Sequence, residues 1–291
     1  MRRLRRHTLA SVSLVFLAIL LVLSLAAPWI AEARGIDPTL VDLYHRLEPP
    51  SLAHWLGTDD LGRDLFQRLL DGGRVSLLVG LAGALLSAIL GAVIGVVSGY
   101  LGGRLDGLLM RLTDGVIALP LLPLLIILAA IDPAKLGIPR ELAQSESFSL
   151  YRIVVIVALT GWTTAARLVR AETLSLKARD FTRAARALGA QPMRIMFRHI
   201  LPNAAGSLVV ATTMSAGGLI LFESTLSFLG LGIQPPAASW GNMLTNAQEL
   251  LREAPVQAVW PGLMIFLTVI AFNFLGDGLN DALDPRSERR L

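Results

Sequence analysis

Six stretches of the chain are apolar almost without interruption, approximately Thr8 to Ile30, Val75 to Gly99, Leu108 to Ile131, Tyr151 to Val169, Ala204 to Ile233 and Ala254 to Gly276. An α-helix needs roughly 20 such residues to cross a hydrocarbon layer of ~30 Å. The pattern therefore predicts an all-α polytopic membrane protein with about six transmembrane helices. The first stretch follows MRRLRRH and ends near AEA, as a secretory signal does. Its apolar core is longer than the ~7 to 15 residues of a cleavable signal, so it reads as a retained anchor. Residues 1–74 then form an anchor helix and an outer segment, and residues 75–291 form a core of five helices.

Between the fourth and fifth runs the pattern changes. DFTRAARALGA starts at Asp180, which can cap a helix, continues through the helix formers Ala184, Ala185, Ala187 and Leu188, and stops at Gly189. PMRIMFRHI then opens with Pro192 at a first-turn position and spaces Met193, Met196 and Phe197 on one face. Pro202 is expected to break the path before the fifth span. Small alanines admit a close partner, and the arginines suit acids or lipid headgroups. Docking to a protein at this face and adhesion to anionic lipid both remain open.

Charge orients the spans. Arg2, Arg3, Arg5 and Arg6 precede the first, and Arg286, Arg289 and Arg290 follow the last. Arg167, Arg170, Lys177, Arg179, Arg183, Arg186, Arg194 and Arg198 surround the segment after the fourth. The excess of positive charge in cytoplasmic connections places these three regions, and both termini, in the cytoplasm. Residues 31–74, 132–150 and the loop after the fifth span lie outside.

Composition narrows the function. Hydrophobic residues make up 54% of the 291 and charged residues 16%, well under the ~25% of soluble domains. With no cysteine and only His7, His45, His54 and His199, thiolate sites and metal motifs are absent from the sequence. The net charge of +4 lacks the aromatic interleaving of a nucleic-acid surface. No phosphate-binding loop of the G-x-x-x-x-G-K-[ST] kind occurs, and no nucleophile, base and acid share an outer loop, so the chain reads as non-catalytic.

Within the spans, Gly91, Gly95 and Gly99 recur every four residues and predict close helix packing. Pro120 and Pro123 bend or loosen the third span, which then either lines a pathway or is a kinked packing helix. Asp114 and Glu223 are the notable intramembrane acids, and neither is clearly at the midplane. Glu223 either lines a wet cavity or anchors neighbouring helices. In GTDDLGRD, Asp59, Asp60, Arg63 and Asp64 can form an ion-pair network that braces the outer loop or meets another protein. Trp240 caps an outer gate or anchors at the interface.

The loop resembles the EAA loop of ATP-binding-cassette importer membrane subunits: Ala184, Ala185, Gly189, Leu201 and Pro202 match its spacing. His199 stands in the isoleucine position, and Arg183 stands where the family usually has Glu. HWLGTDDLGRDLFQRLLDGGRVSL, AARALGAQPMRIMFRHILPN, ESTLSFLGLGIQPPAASWGNML and FNFLGDGLNDALDPR, in that order, are similar to the dipeptide, oligopeptide and nickel permease branch, in its second, C-type subunit. Residues 132–150 are longer than that branch's usual outer loop.

The resemblance implies a type I importer fold in the bacterial inner membrane, with a coupling loop at 177–203. It implies a paired permease, two ATPases that use ATP and Mg, an extracytoplasmic substrate-binding protein, and lipid around the bundle. Short peptides are the cargo it suggests. Phe181, Arg183, Ala184, Ala185, Leu188, Gly189, His199 and Pro202 become the ATPase-coupling residues. Pro120, Pro123 and Glu223 become candidates for the path or gate, and Asp59, Asp60, Arg63, Asp64 and Trp240 for contact with the binding protein. A gradient-driven carrier using Glu223, and a membrane scaffold without transport, are the competing readings.

Overall fold

A computed structural model describes residues 7–143, 145–245 and 252–283. The arginines expected to orient the termini, Arg2, Arg3, Arg5, Arg6, Arg286, Arg289 and Arg290, lie outside the described residues. Among those described there is no strand, and five helices are long and apolar enough to cross a membrane, six if one bent pair counts as a span. In chain order they are α1 (Thr8–Arg34), α2 (Leu65–Leu101), the bent pair α3 (Gly103–Ala118) and α4 (Leu121–Ala130), a single turn α5 (Arg140–Ala143), and α6 (Glu146–Lys177). The short α7 (Asp180–Ala187), then α8 (Pro192–Phe228) and α9 (Pro255–Leu283), complete the set.

Most helices outrun their apolar cores, α2 most of all. It begins at Leu65 rather than Val75 because the Asp64 carboxylate accepts from Gln67 N at 2.7 Å and caps it. The polar stretch DGGR, which marks a boundary in the sequence, is helical throughout. The expected third span is instead broken, with α3 and α4 meeting at 89°. Leu119 is extended, the conformation favoured before proline, and Pro120 precedes the first residue of the new helix. Pro123 falls in the first turn of α4, where its missing N–H costs nothing, so Pro120 alone makes the bend.

The glycine stripe does what its spacing predicts. α2 and α6 run in the same direction, with Gly83 against Val157, Gly95 against Ala166 and Gly99 against Thr173. A Cβ on Gly95 would lie 2.5 Å from the Ala166 carbonyl oxygen and 2.9 Å from Arg170 N, so only hydrogen permits this backbone approach. α8 runs antiparallel to α2: Glu223 near its end meets Ser76, and Ile200 near its start packs in one cluster with Val96. α9 packs on α8, and α1 flanks α2 and α9.

This arrangement sorts the connections. Residues 35–64 and 229–245 gather at one end of α2, and α7 lies at the other. His7 Nε2 is 3.1 Å from an Asp281 carboxylate oxygen, and Leu283 approaches Gly206 near the start of α8. The first and last described helices therefore begin and end on the α7 side.

Candidate functional site

At the α7 end, the loop between α6 and α8 is a folded junction. α7 has no side-chain cap: Arg179 occupies the N-cap position and Asp180 sits in the first turn, where its charge suits the helix dipole. The expectation that Asp180 caps the helix is corrected accordingly. Thr182 is fully buried, and its hydroxyl donates to the Leu176 carbonyl at 2.8 Å, folding α7 back on the end of α6. Gly189 ends the helix at φ 79, a left-handed conformation that glycine adopts without strain. Its N–H donates to Arg186 O, and Ala190 N donates to Ala185 O.

The matched residues point in different directions. Ala185 is half-buried against a small apolar cluster of Val96, Tyr100, Val169, Ile195, Met196 and Ile200. Phe181, Arg183, Ala184, Leu188 and Gly189 are exposed, and Leu188 is 88% accessible. The small-residue face is thus divided: Ala185 closes on its own chain and Ala184 faces outward.

The second piece of the loop differs from expectation in two ways. Ile195–Ile200 is π-helical, and Leu201 N donates five residues back to Met196 O. This wider turn rotates the register, so Ile195 and Met196 are buried while Met193 and Phe197 are exposed. Pro202 does not break the path, because the altered hydrogen-bonding of the π-turn already leaves carbonyls free beside it. α8 continues without a break from Pro192 to Phe228. Pro202 itself is exposed, and His199 is half-exposed, with its carbonyl accepting from Asn203 Nδ2 at 2.6 Å.

At the opposite end, the charged motif is a brace. Asp59 accepts from Leu61 N and Arg63 N, both at 2.9 Å, and from Arg63 Nε at 2.8 Å, and it lies 3.1 Å from Arg68 Nε. Asp64 takes both terminal nitrogens of Arg34, at 3.2 and 3.1 Å, and His54 Nδ1 lies 3.0 Å away. The Arg34 guanidinium also covers the Trp55 ring at 4.5 Å, fastening the end of α1 to the start of α2. Gln257 Nε2 donates to Thr58 O at 2.8 Å and brings in α9.

Glu223 is the hub of the loop after α8. It is fully buried, accepting from Ser76 Oγ at 2.9 Å and from Ser227 Oγ at 2.7 Å. Ser227 Oγ also receives Ile233 N, and Ser76 Oγ receives Trp240 N. Trp240 is itself fully buried, with its ring against Gly72 and Gly73 and its indole N–H donating to Leu69 O at 2.9 Å.

Two expectations are corrected here. Trp240 is a core residue rather than an interfacial anchor. Asp59, Asp64 and Trp240 are enclosed and Arg63 nearly so, which leaves Asp60 as the accessible member of the group expected to meet another protein. Burial of Glu223 among serines favours its anchoring reading over a wet cavity. Asp114 forms an exposed pair with Arg167. Sequence reasoning missed Arg34, Ser76, Gln257 and Tyr100. Only Ser76, a hydroxyl inside an apolar run, carries even a weak local signal.

Residues 91–289 match the family described as "Binding-protein-dependent transport system inner membrane component", and residues 1–50 match "N-terminal TM domain of oligopeptide transport permease C". The oligopeptide transport system permease protein OppC of Bacillus subtilis (strain 168) is 37% identical over 98% of this chain and 88% of its own length. The glutathione transport system permease protein GsiD of Shigella flexneri serotype 5b is 43% identical over 98% of this chain and 89% of its own, and that of Escherichia coli O157:H7 is 41% identical over the same shares. All-helical, with several crossings and an exposed helix folded back between its fourth and fifth, the chain belongs to the family of binding-protein-dependent transport system inner membrane components, as an ABC transporter permease subunit of the OppC type.

Proposed function

We propose that this chain, with a paired permease, forms the translocation path for short peptides, oligopeptides or glutathione-like solutes, imported at the expense of ATP. Two separate ATPases bind the ATP and Mg, and an extracytoplasmic binding protein delivers cargo to the end of the bundle that holds residues 35–64. The α7 end faces the cytoplasm, and so do both termini, in keeping with the basic residues around α7. Phe181, Arg183, Ala184, Leu188 and Gly189 meet an ATPase, while Ala185 holds α7 to its own bundle. Closure of the ATPases then moves the bundle as a rigid body. The names of the relatives, OppC and GsiD, support a peptide cargo.

The observation that carries this reading is α7 itself: a short helix fixed from behind by Thr182 and Ala185, with Leu188 88% accessible at its end. An exposed leucine held on a fixed helix suits a protein cleft. The test is Leu188→Asp in the complex of permeases and ATPases reconstituted in liposomes. Loss of ATP-driven uptake of labelled trialanine and glutathione, with α-helical content retained, supports the reading. Unchanged ATPase attachment and unchanged stimulation of hydrolysis by the binding protein would remove it. Gly189 is the poorer test site, since its φ of 79 makes any bulky substitution strain the turn.

A further inference from the structure

Tyr100 stands one residue from the end of α2 and is 7% exposed. Two cations from different elements converge on it. Lys177, the last residue of α6, holds its ammonium 5.4 Å from the ring centroid and donates to the Tyr100 carbonyl. Arg186, in the last turn of α7, places its guanidinium carbon 5.7 Å from the same ring, with Nη2 3.5 Å from the phenolic oxygen.

Among the described residues neither cation reaches a carboxylate, although Arg170 and Arg167 nearby each have one. Both are therefore held by the face of one aromatic ring and by the electronegative end of α2, whose last carbonyls have no helical partner. The other contacts of α7 with its own bundle lie at its first and middle turns. Thr182 fixes one point and Ala185 supplies a single methyl group. Arg186 adds the contact near the far end of the helix.

We propose that Tyr100 is the positioning residue that sets the orientation of α7, by clasping Lys177 and Arg186 against the end of α2. This rests on the reading of α7 as the ATPase-contacting helix, and it makes α2 the element that receives the motion of α7. α2 runs without a break to the outer end, where Trp240 and Glu223 join it through Leu69 and Ser76. One continuous helix thus joins the Tyr100 contact with α7 to the residues that hold the loop 229–245.

The test uses the assembled transporter in lipid nanodiscs, with spin labels on cysteines placed at Ala187 and Leu105, both exposed and neither among the residues assigned to the ATPase contact. Tyr100→Leu keeps apolar volume and removes the ring, whereas Tyr100→Phe keeps the ring and removes the hydroxyl. The inter-label distance distribution broadens in Tyr100→Leu and stays narrow in Tyr100→Phe. Stimulation of ATP hydrolysis by the binding protein falls about fivefold in the first and is retained in the second. An unchanged distribution and unchanged stimulation in Tyr100→Leu overturn the proposal. Leu188→Asp, measured alongside, separates the two readings. If it abolishes stimulation while Tyr100→Leu does nothing, α7 still meets the ATPase and only the role of Tyr100 is wrong. If Leu188→Asp is silent, the ATPase reading fails, and the spin-label widths alone decide whether Tyr100 orients α7.

Discussion

Ser76 Oγ donates to Glu223 Oε2 at 2.9 Å across 147 positions of sequence, joining the first third of α2 to the end of α8. The same hydroxyl receives Trp240 N at 3.3 Å, so one serine connects two helices and the loop that covers them. The carboxylate holds Ser227 as well, and through it Ile233 N. Residues 229–245 are consequently fastened at Ile233 and Trp240, through two serines, to one buried acid.

Glu223→Ala leaves these buried hydroxyls without their acceptor, at a cost of about 1–3 kcal/mol for each group that finds no substitute. The substitution is expected to lower the thermal unfolding temperature of the purified complex and to expose the loop to protease near Gln234. Glu223→Gln, which can accept from one serine and donate to another, is expected to keep most of the stability. Equal loss in both variants would mean that charge, and not hydrogen-bond count, governs the site.

Asp64→Ala removes a fully enclosed carboxylate from Arg34, whose side chain is 11% exposed, and removes the N-cap of α2. Breaking one member of a buried pair typically costs about 3–5 kcal/mol. Thermal unfolding should shift down strongly. Asp60→Ala, at a side chain 35% exposed, should leave it unchanged.

Gly95→Leu forces α2 and α6 apart, because the clash is with backbone atoms that cannot swing away. A loss of about 1–3 kcal/mol or more is expected, seen as poor assembly and reduced cysteine cross-linking between the two helices. Gly218→Ala is the control, since its Cβ would meet open space. If both variants assemble equally well, the close α2–α6 contact is not what holds the core.

The chain has no native cysteine, so single cysteines at Gln191 and Gln234, both exposed and at opposite ends of the bundle, report sidedness without background. Labelling of intact cells with a membrane-impermeant maleimide is expected at Gln234→Cys and absent at Gln191→Cys. The reverse pattern would invert the bundle and place α7 outside.

The six apolar runs, the glycine stripe, the stop at Gly189 and the spacing of Ala184, Ala185, Gly189 and Pro202 were all legible in the sequence. They depend on periodicity, on backbone conformation and on the cost of exposing apolar surface, and each acts over a few residues. The bend at Pro120 was half legible, because proline constrains its predecessor but two prolines competed for the effect.

What tertiary structure decided is which side chains face each other. Glu223 and Trp240 carry the same local signature whether they lie at an outer surface or in the core. Only Ser76, Ser227 and the slot at Gly72 and Gly73 make them internal. Asp59, Asp60, Arg63 and Asp64 form one charged run, yet the arrival of Arg34 and Arg68 encloses Asp59 and Asp64 and leaves Asp60 outside. Nor does anything near Tyr100 in sequence announce Lys177 and Arg186. Hydropathy along a chain determines that a helix is buried in lipid or protein, whereas the partner of a polar group is set by helix register and approach, which depend on residues far away.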